Sequence, residues 1–236
     1  MIVSTDPDYL DTKLVRQRVK QLDPIFQELA DWIHQKFDTP VLNIYYDKIE
    51  QDKNRPRLSI IFEYFPESRK FRDQRGNYDS DKQAMVTDKF KQILSKDKNS
   101  NGNVFTRLFK KSSAQKFDTE RLLVIFPSFE PIAREEANAK IPQVEIDNLK
   151  NELKSKDVWE IYRQFASTTY FFHTDKQIDE YSKDGTTDLL NKQYLELLKK
   201  YDEFEYINSD TFILAFDSKE NFDNEYESSW FRYSRR

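Results

Sequence analysis

Apolar residues recur every three or four positions from Val15 through Val19, Leu22, Phe26, Leu29 and Ile33 to Phe37, the spacing of one helix face. Asp23-Pro24 interrupts the run as an N-cap followed by proline at the first helical position. The pattern predicts a helix over about residues 10–21 that continues, kinked, over 24–37, with Thr39-Pro40 closing it. Val41 to Tyr46 and Leu58 to Phe65 are β-branched and aromatic runs of strand length, and the polar stretch between them makes a long hairpin loop. After Pro66 the chain is strongly polar. Ser80 with Gln83 then forms a capping box that opens a helix with Val86, Phe90 and Ile93 on its inner face. Residues 96–103 read as a turn-rich connector, 104–111 have no clear period, and Arg121 to Phe126, apolar without alternation, reads as a central strand.

Helical spacing returns from Pro142 to Phe165, through Ile146, Leu149, Leu153, Trp159 and Tyr162. Thr168 to His173 predicts a strand, and Thr174 to Tyr181 a short helix capped by Thr174 and Gln177 and stopped by Gly185. A longer helix follows over about 187–201, packing through Leu190, Tyr194, Leu197 and Tyr201, and Thr211 to Phe216 and Tyr226 to Tyr233 read as closing strands. The stretch from Phe172 to Tyr181 echoes that from Phe216 to Tyr226, each a strand running into a polar helical turn.

These elements predict an α+β fold, helices packed on a mainly antiparallel sheet. A seam near residues 138–142 divides it into a helix, hairpin, helix, strand subdomain over 1–140 and a helix, strand, helix, strand subdomain over 141–236. No Gly/Ser linker marks that seam, so the two parts read as intimately packed and a single domain is the alternative.

Composition narrows the chemistry. The 236 residues hold no cysteine, which excludes disulfides, thiolate metal sites and cysteine nucleophiles. Gly76, Gly102 and Gly185 are the only glycines, and they stand far apart, whereas phosphate loops need several within a few residues. No cofactor is expected. Aromatic residues make up 15% of the chain and supply the buried area that scarce aliphatics do not. No run approaches the roughly 20 apolar residues of a spanning helix, and Met1 to Asp11 lacks the pattern of an export signal. The expectation is a soluble cytoplasmic protein with no membrane partner, and richness in Lys, Asp, Asn, Tyr and Phe suits a bacterial source.

Two histidines limit acid/base and metal proposals. His34 adjoins the apolar helix face and reads as structural; His173, at a strand exit, is the catalytic candidate. No metal site is predicted, because acid pairs such as Asp79 with Asp81 or Glu135 with Glu136 arise readily in a chain that is 34% charged.

Charge is unevenly spread although the net value is only −4. Between residues 202 and 227 nine acids face Lys219 alone, with aromatics interleaved, while 67–116 hold thirteen basic residues against six acids. Solvated faces account for both regions in one reading. In the sharper one, Asp217, Glu220, Asp223, Glu225, Tyr226, Glu227, Trp230 and Tyr233 form a surface for a basic partner protein. The function expected is therefore non-enzymatic protein interaction of the immunity or antitoxin kind. Two alternatives stand beside it: a carboxylate-metal enzyme acting on nucleic acid or phosphate esters, and a nucleic-acid binder using Arg69, Lys70, Arg72 and Arg75.

Overall fold

The computed structural model describes residues 3–153 and 157–235 except 101–116, with backbone alone over 97–100. The expected features at 101–111 lie outside the described residues. The fold is α+β, half helical, and it divides into two units, Met1–Glu130 and Pro131–Arg236.

The first unit opens with α1 (Pro7–Arg16) and α2 (Pro24–Phe37). They are separate helices rather than one kinked helix. Val15 and Leu14 carbonyls accept the amides of Arg18, Val19 and Lys20, and Arg18 turns to φ 62°, which ends α1 before the apolar spacing does. Asp23 caps α2 by accepting from the Ile25 amide at 3.1 Å, with Pro24 at its first position. β1 (Asn43–Ile49) and β2 (Arg55–Ile61) form the expected hairpin, but pairing of Asp47 with Arg57 and Ile49 with Arg55 carries the strands through the polar stretch and shortens the loop to 50–54. The polar stretch after Pro66 is a short helix, α3 (Phe65–Arg69), followed by α4 (Ser80–Ser100), which absorbs the start of the expected connector. β3 (Leu123–Ile125) then pairs parallel with β2. Leu58, Ile60 and Phe62 on one face of the sheet pack with Leu29 and Ile33 of α2 and Val86 and Phe90 of α4.

The second unit runs α5 (Glu130–Lys140), α6 (Gln143–Glu152), β4 (Glu160–Gln164), β5 (Ser167–Phe172), α7 (Asp175–Lys183), α8 (Thr186–Lys199) and β6 (Ala215–Ser218), then α9 (Lys219–Tyr226) and α10 (Trp230–Tyr233). Helical spacing beyond residue 153 is misleading: the segment is β4, whose Ile161 enters the main core while Tyr162 enters a second cluster on the opposite face. A strand buried on both faces carries no period of two. The expected last strand at 226–233 is helical instead, because Ser229 caps α10 and turns Trp230 and Tyr233 back over Phe171.

Both units follow one plan: two helices, an antiparallel hairpin, two helices, and a third strand parallel to the second. The register repeats as well. Ser59 pairs with Ile125 as Thr169 pairs with Ala215, and Phe62 bridges Ser128 as Phe172 pairs with Ser218. Glu67 accepts from the Tyr64 amide at 3.0 Å as Gln177 accepts from Thr174 at 2.9 Å. The amide of Glu130 donates to the Glu63 carbonyl at 2.9 Å, as that of Glu220 does to His173 at 3.2 Å. The echo between 172–181 and 216–226 is a different likeness, of β5 and α7 to β6 and α9 within the second unit, whereas the repeat relates β5 to β2 and β6 to β3.

Tyr170 is fully buried in the second core, and its hydroxyl has no hydrogen-bond partner among the described residues. Burial pushes its pKa far up. An unpartnered buried hydroxyl opposes folding, so Tyr170→Phe is expected to leave stability unchanged or raise it by up to about 2 kcal/mol. Urea unfolding monitored by circular dichroism checks this, and a clear loss of stability would contradict it.

Candidate functional site

The C-terminal residues singled out by charge divide into two sets. Asp217 is buried; one carboxylate oxygen accepts from the Ser218 amide and the Asn221 side chain, both at 2.8 Å, and the other from the Tyr233 hydroxyl at 2.7 Å. Tyr233 is 2% exposed. The Trp230 ring lies 4.7 Å from Tyr162 at 8° and 4.2 Å from Phe222. Trp230 and Tyr233 therefore belong to the aromatic cluster packed on Phe171 and Phe222, Asp217 anchors Tyr233 in it, and burial removes Asp217 and Tyr233 from any contact surface. Tyr226 sits half-buried against Tyr233. The remaining acids lie at or near the surface. Glu220 caps α7 through the Asp175 amide at 3.2 Å, Glu227 pairs with Arg232, and Glu225 is exposed. Asp223 is held by Lys219 and Ser228, which lower its pKa.

A groove of about 470 Å³ opens elsewhere in the second unit, between α5, the start of α6, β4 and Trp230. Arg163 ties its walls together, donating to the Asn138 carbonyl at 2.7 Å, the Ile141 carbonyl at 3.0 Å and the Gln143 side chain at 3.3 Å. Carbonyls at a helix C-terminus are natural partners of a guanidinium. Asn138, 1% exposed, donates to the Phe165 and Ser167 carbonyls at 2.8 and 3.3 Å and accepts from Tyr194 at 2.7 Å and Thr168 at 3.4 Å. Glu160 is engaged by Lys150 at 2.8 Å and by the Ile161 amide at 2.9 Å.

Two groove residues are left without such a role. The Glu135 side chain has no hydrogen bond or ion pair among the described residues, and partial burial raises its pKa. Its neighbour Glu136 takes Lys140 at 3.2 Å. In the first unit, by contrast, the α1 carboxylate facing β1, Asp11, is engaged by Asn43 at 3.0 Å and Lys20 at 2.5 Å. Phe165 is 58% exposed and stands at φ 52°, a left-handed conformation that costs an L-residue about 1–2 kcal/mol. The sequence offers Glu135 only as a chance pair with Glu136 and Phe165 only as the end of a helical run.

Compared with protein-family models, curated protein sequences and solved structures, the chain matches none. The site is therefore read from its own geometry.

The other candidates occupy less suggestive places. His173 is exposed, with its amide bonded to Gln177 and its carbonyl to the Glu220 amide. No group of three metal-ligating side chains converges among the described residues. In the basic region Arg72 lies 4.6 Å over the Tyr78 ring and donates to the Gly76 carbonyl at 2.7 Å. Lys70 donates to the Asp38 carbonyl at 3.1 Å, so only Arg69 and Arg75 of the four stand clear on the surface. No described helix is long and apolar enough to cross a membrane.

Proposed function

We propose that this chain is a cytoplasmic, non-enzymatic interaction protein that receives a basic segment of a partner protein in the groove beside β4. The observation that carries the proposal is Glu135, a partly desolvated carboxylate with no counter-charge among the described residues. A cation supplied from outside would complete it with a charge-assisted hydrogen bond. The charge distribution supports the same direction: residues 131–236 hold 22 acids against 15 basic residues, whereas 1–130 hold 20 against 23. Such a field speeds association with a basic partner and disfavours acidic ones.

Calorimetric titration with acetyl-(Arg-Ser)4-amide and acetyl-(Glu-Ser)4-amide tests the proposal. The basic peptide is expected to bind, more weakly as salt is added, and Glu135→Gln is expected to weaken it about tenfold or more. No heat with the basic peptide at low salt, or an unchanged affinity in Glu135→Gln, overturns the proposal.

Stability supplies a second check. A carboxyl whose folded pKa is raised binds more protons folded than unfolded, so its contribution to stability falls as pH rises through the carboxylate range. Glu135→Gln is expected to melt above wild type at pH 7, with the gap closing as the pH is lowered toward that range. Destabilisation at pH 7 would show that the carboxylate serves the fold.

A further inference from the structure

We infer that Phe165 is the apolar anchor of this groove. Its occupant is then a basic segment that sets an apolar side chain on the Phe165 ring beside the cation meeting Glu135. The inference rests on reading the groove as a docking site, and it adds the second half of the recognition chemistry.

Three observations converge on the ring. Phe165 is 58% exposed, so its own burial does not explain an aromatic residue there. It is the first residue of the two-residue connection between β4 and β5, at φ 52°, where glycine or asparagine would be more comfortable. Strained residues that persist are held by surroundings that over-determine them, and they gather at binding sites. Here the surroundings are explicit. Asn138 grips the Phe165 carbonyl, and Asn138 is gripped in turn by Tyr194 and Thr168, all three of them buried.

The exposed ring is therefore carried on a backbone fixed by the core. An aromatic side chain presented in this way loses little freedom on binding, the property that makes such residues dominate interface energies. Glu135 lines the same groove, and the acidic balance of the second unit selects a basic occupant over an acidic one. Arg163 does not oppose that choice, since its guanidinium is already directed onto the Asn138 and Ile141 carbonyls and the Gln143 side chain.

Acetyl-(Arg-Leu)4-amide and acetyl-(Arg-Ser)4-amide carry equal charge and differ in apolar side chains, so titrating both separates the two parts of the site. Wild type is expected to prefer the Arg-Leu peptide by about tenfold, the value of burying one such side chain. Phe165→Gly is expected to lose that preference, keep its affinity for the Arg-Ser peptide, and melt at a higher temperature than wild type. Phe165→Asn, which also tolerates the left-handed conformation, should behave alike and guards against an effect peculiar to glycine. Equal affinity of wild type for the two peptides overturns the anchor and leaves the groove proposal standing. A preference that survives in both variants places the apolar contact elsewhere and also overturns it. Binding of neither peptide removes both proposals together.

Discussion

Trp230→Ala is expected to destabilise the second unit by about 3–5 kcal/mol, an effect on folding that precedes any effect on binding. The indole, half-buried beside the groove, touches Trp159, Tyr162, Phe171, Phe222 and Tyr233, so truncation strips all five aromatic contacts from the cluster at once. α10 is only four residues long and has little stability of its own. Loss of Trp230 should therefore release α10 and uncover Phe171. Urea unfolding followed by far-UV circular dichroism gives the size of the effect, and dye binding reports the uncovered face. A loss below about 1 kcal/mol would mean that the ring is a surface group, as its place among carboxylates in the sequence suggests.

Asp217→Ala is expected to cost about 3 kcal/mol, while Asp223→Lys, six residues further along the same acidic stretch of chain but partly open to water, should change stability by less than about 1 kcal/mol. Removing the Asp217 carboxylate strands the Tyr233 hydroxyl, the Asn221 side chain and the Ser218 amide at a buried place. Tyr233→Phe removes one of those partners. In a double-mutant cycle Asp217 and Tyr233 should couple by about 1 kcal/mol or more, and additive losses would show that their hydrogen bond adds nothing.

The helices most legible in the sequence are those with one buried face. α2 and α8 carry their inner residues at helical spacing, and the cores of both units follow from them. Where burial is two-sided the pattern fails. β4 places Ile161 and Tyr162 in different clusters, and its aromatic spacing imitates a helix. The acidic stretch was visible as charge, but charge does not reveal that Asp217 turns inward to Tyr233. At the groove the sequence shows two adjacent glutamates. Only the structure shows that Lys140 engages Glu136 while Glu135 is left unengaged among the described residues, and that Asn138 meets Phe165 across 27 positions. The repeat was illegible for a related reason. What the units share is strand register and backbone hydrogen bonds, with few side chains in common beyond Phe62 with Phe172, Phe126 with Phe216 and Ser128 with Ser218.

That repeat creates a hazard during folding. Each hairpin must wait for its third strand, 62 residues after β2 and 43 after β5, and two hairpins of like register accept like partners. An exchange would set β6 on β2 and β3 on β5. The strand ends oppose it: Tyr233, joined to β6 through α9, would have to give up either Asp217 or Phe171, and Pro127, which occupies the matching place in the first unit, offers the Tyr233 hydroxyl no side-chain acceptor. The buried carboxylate thus acts as a key that fits one lock, and the divergence between the halves protects the chain from its own symmetry.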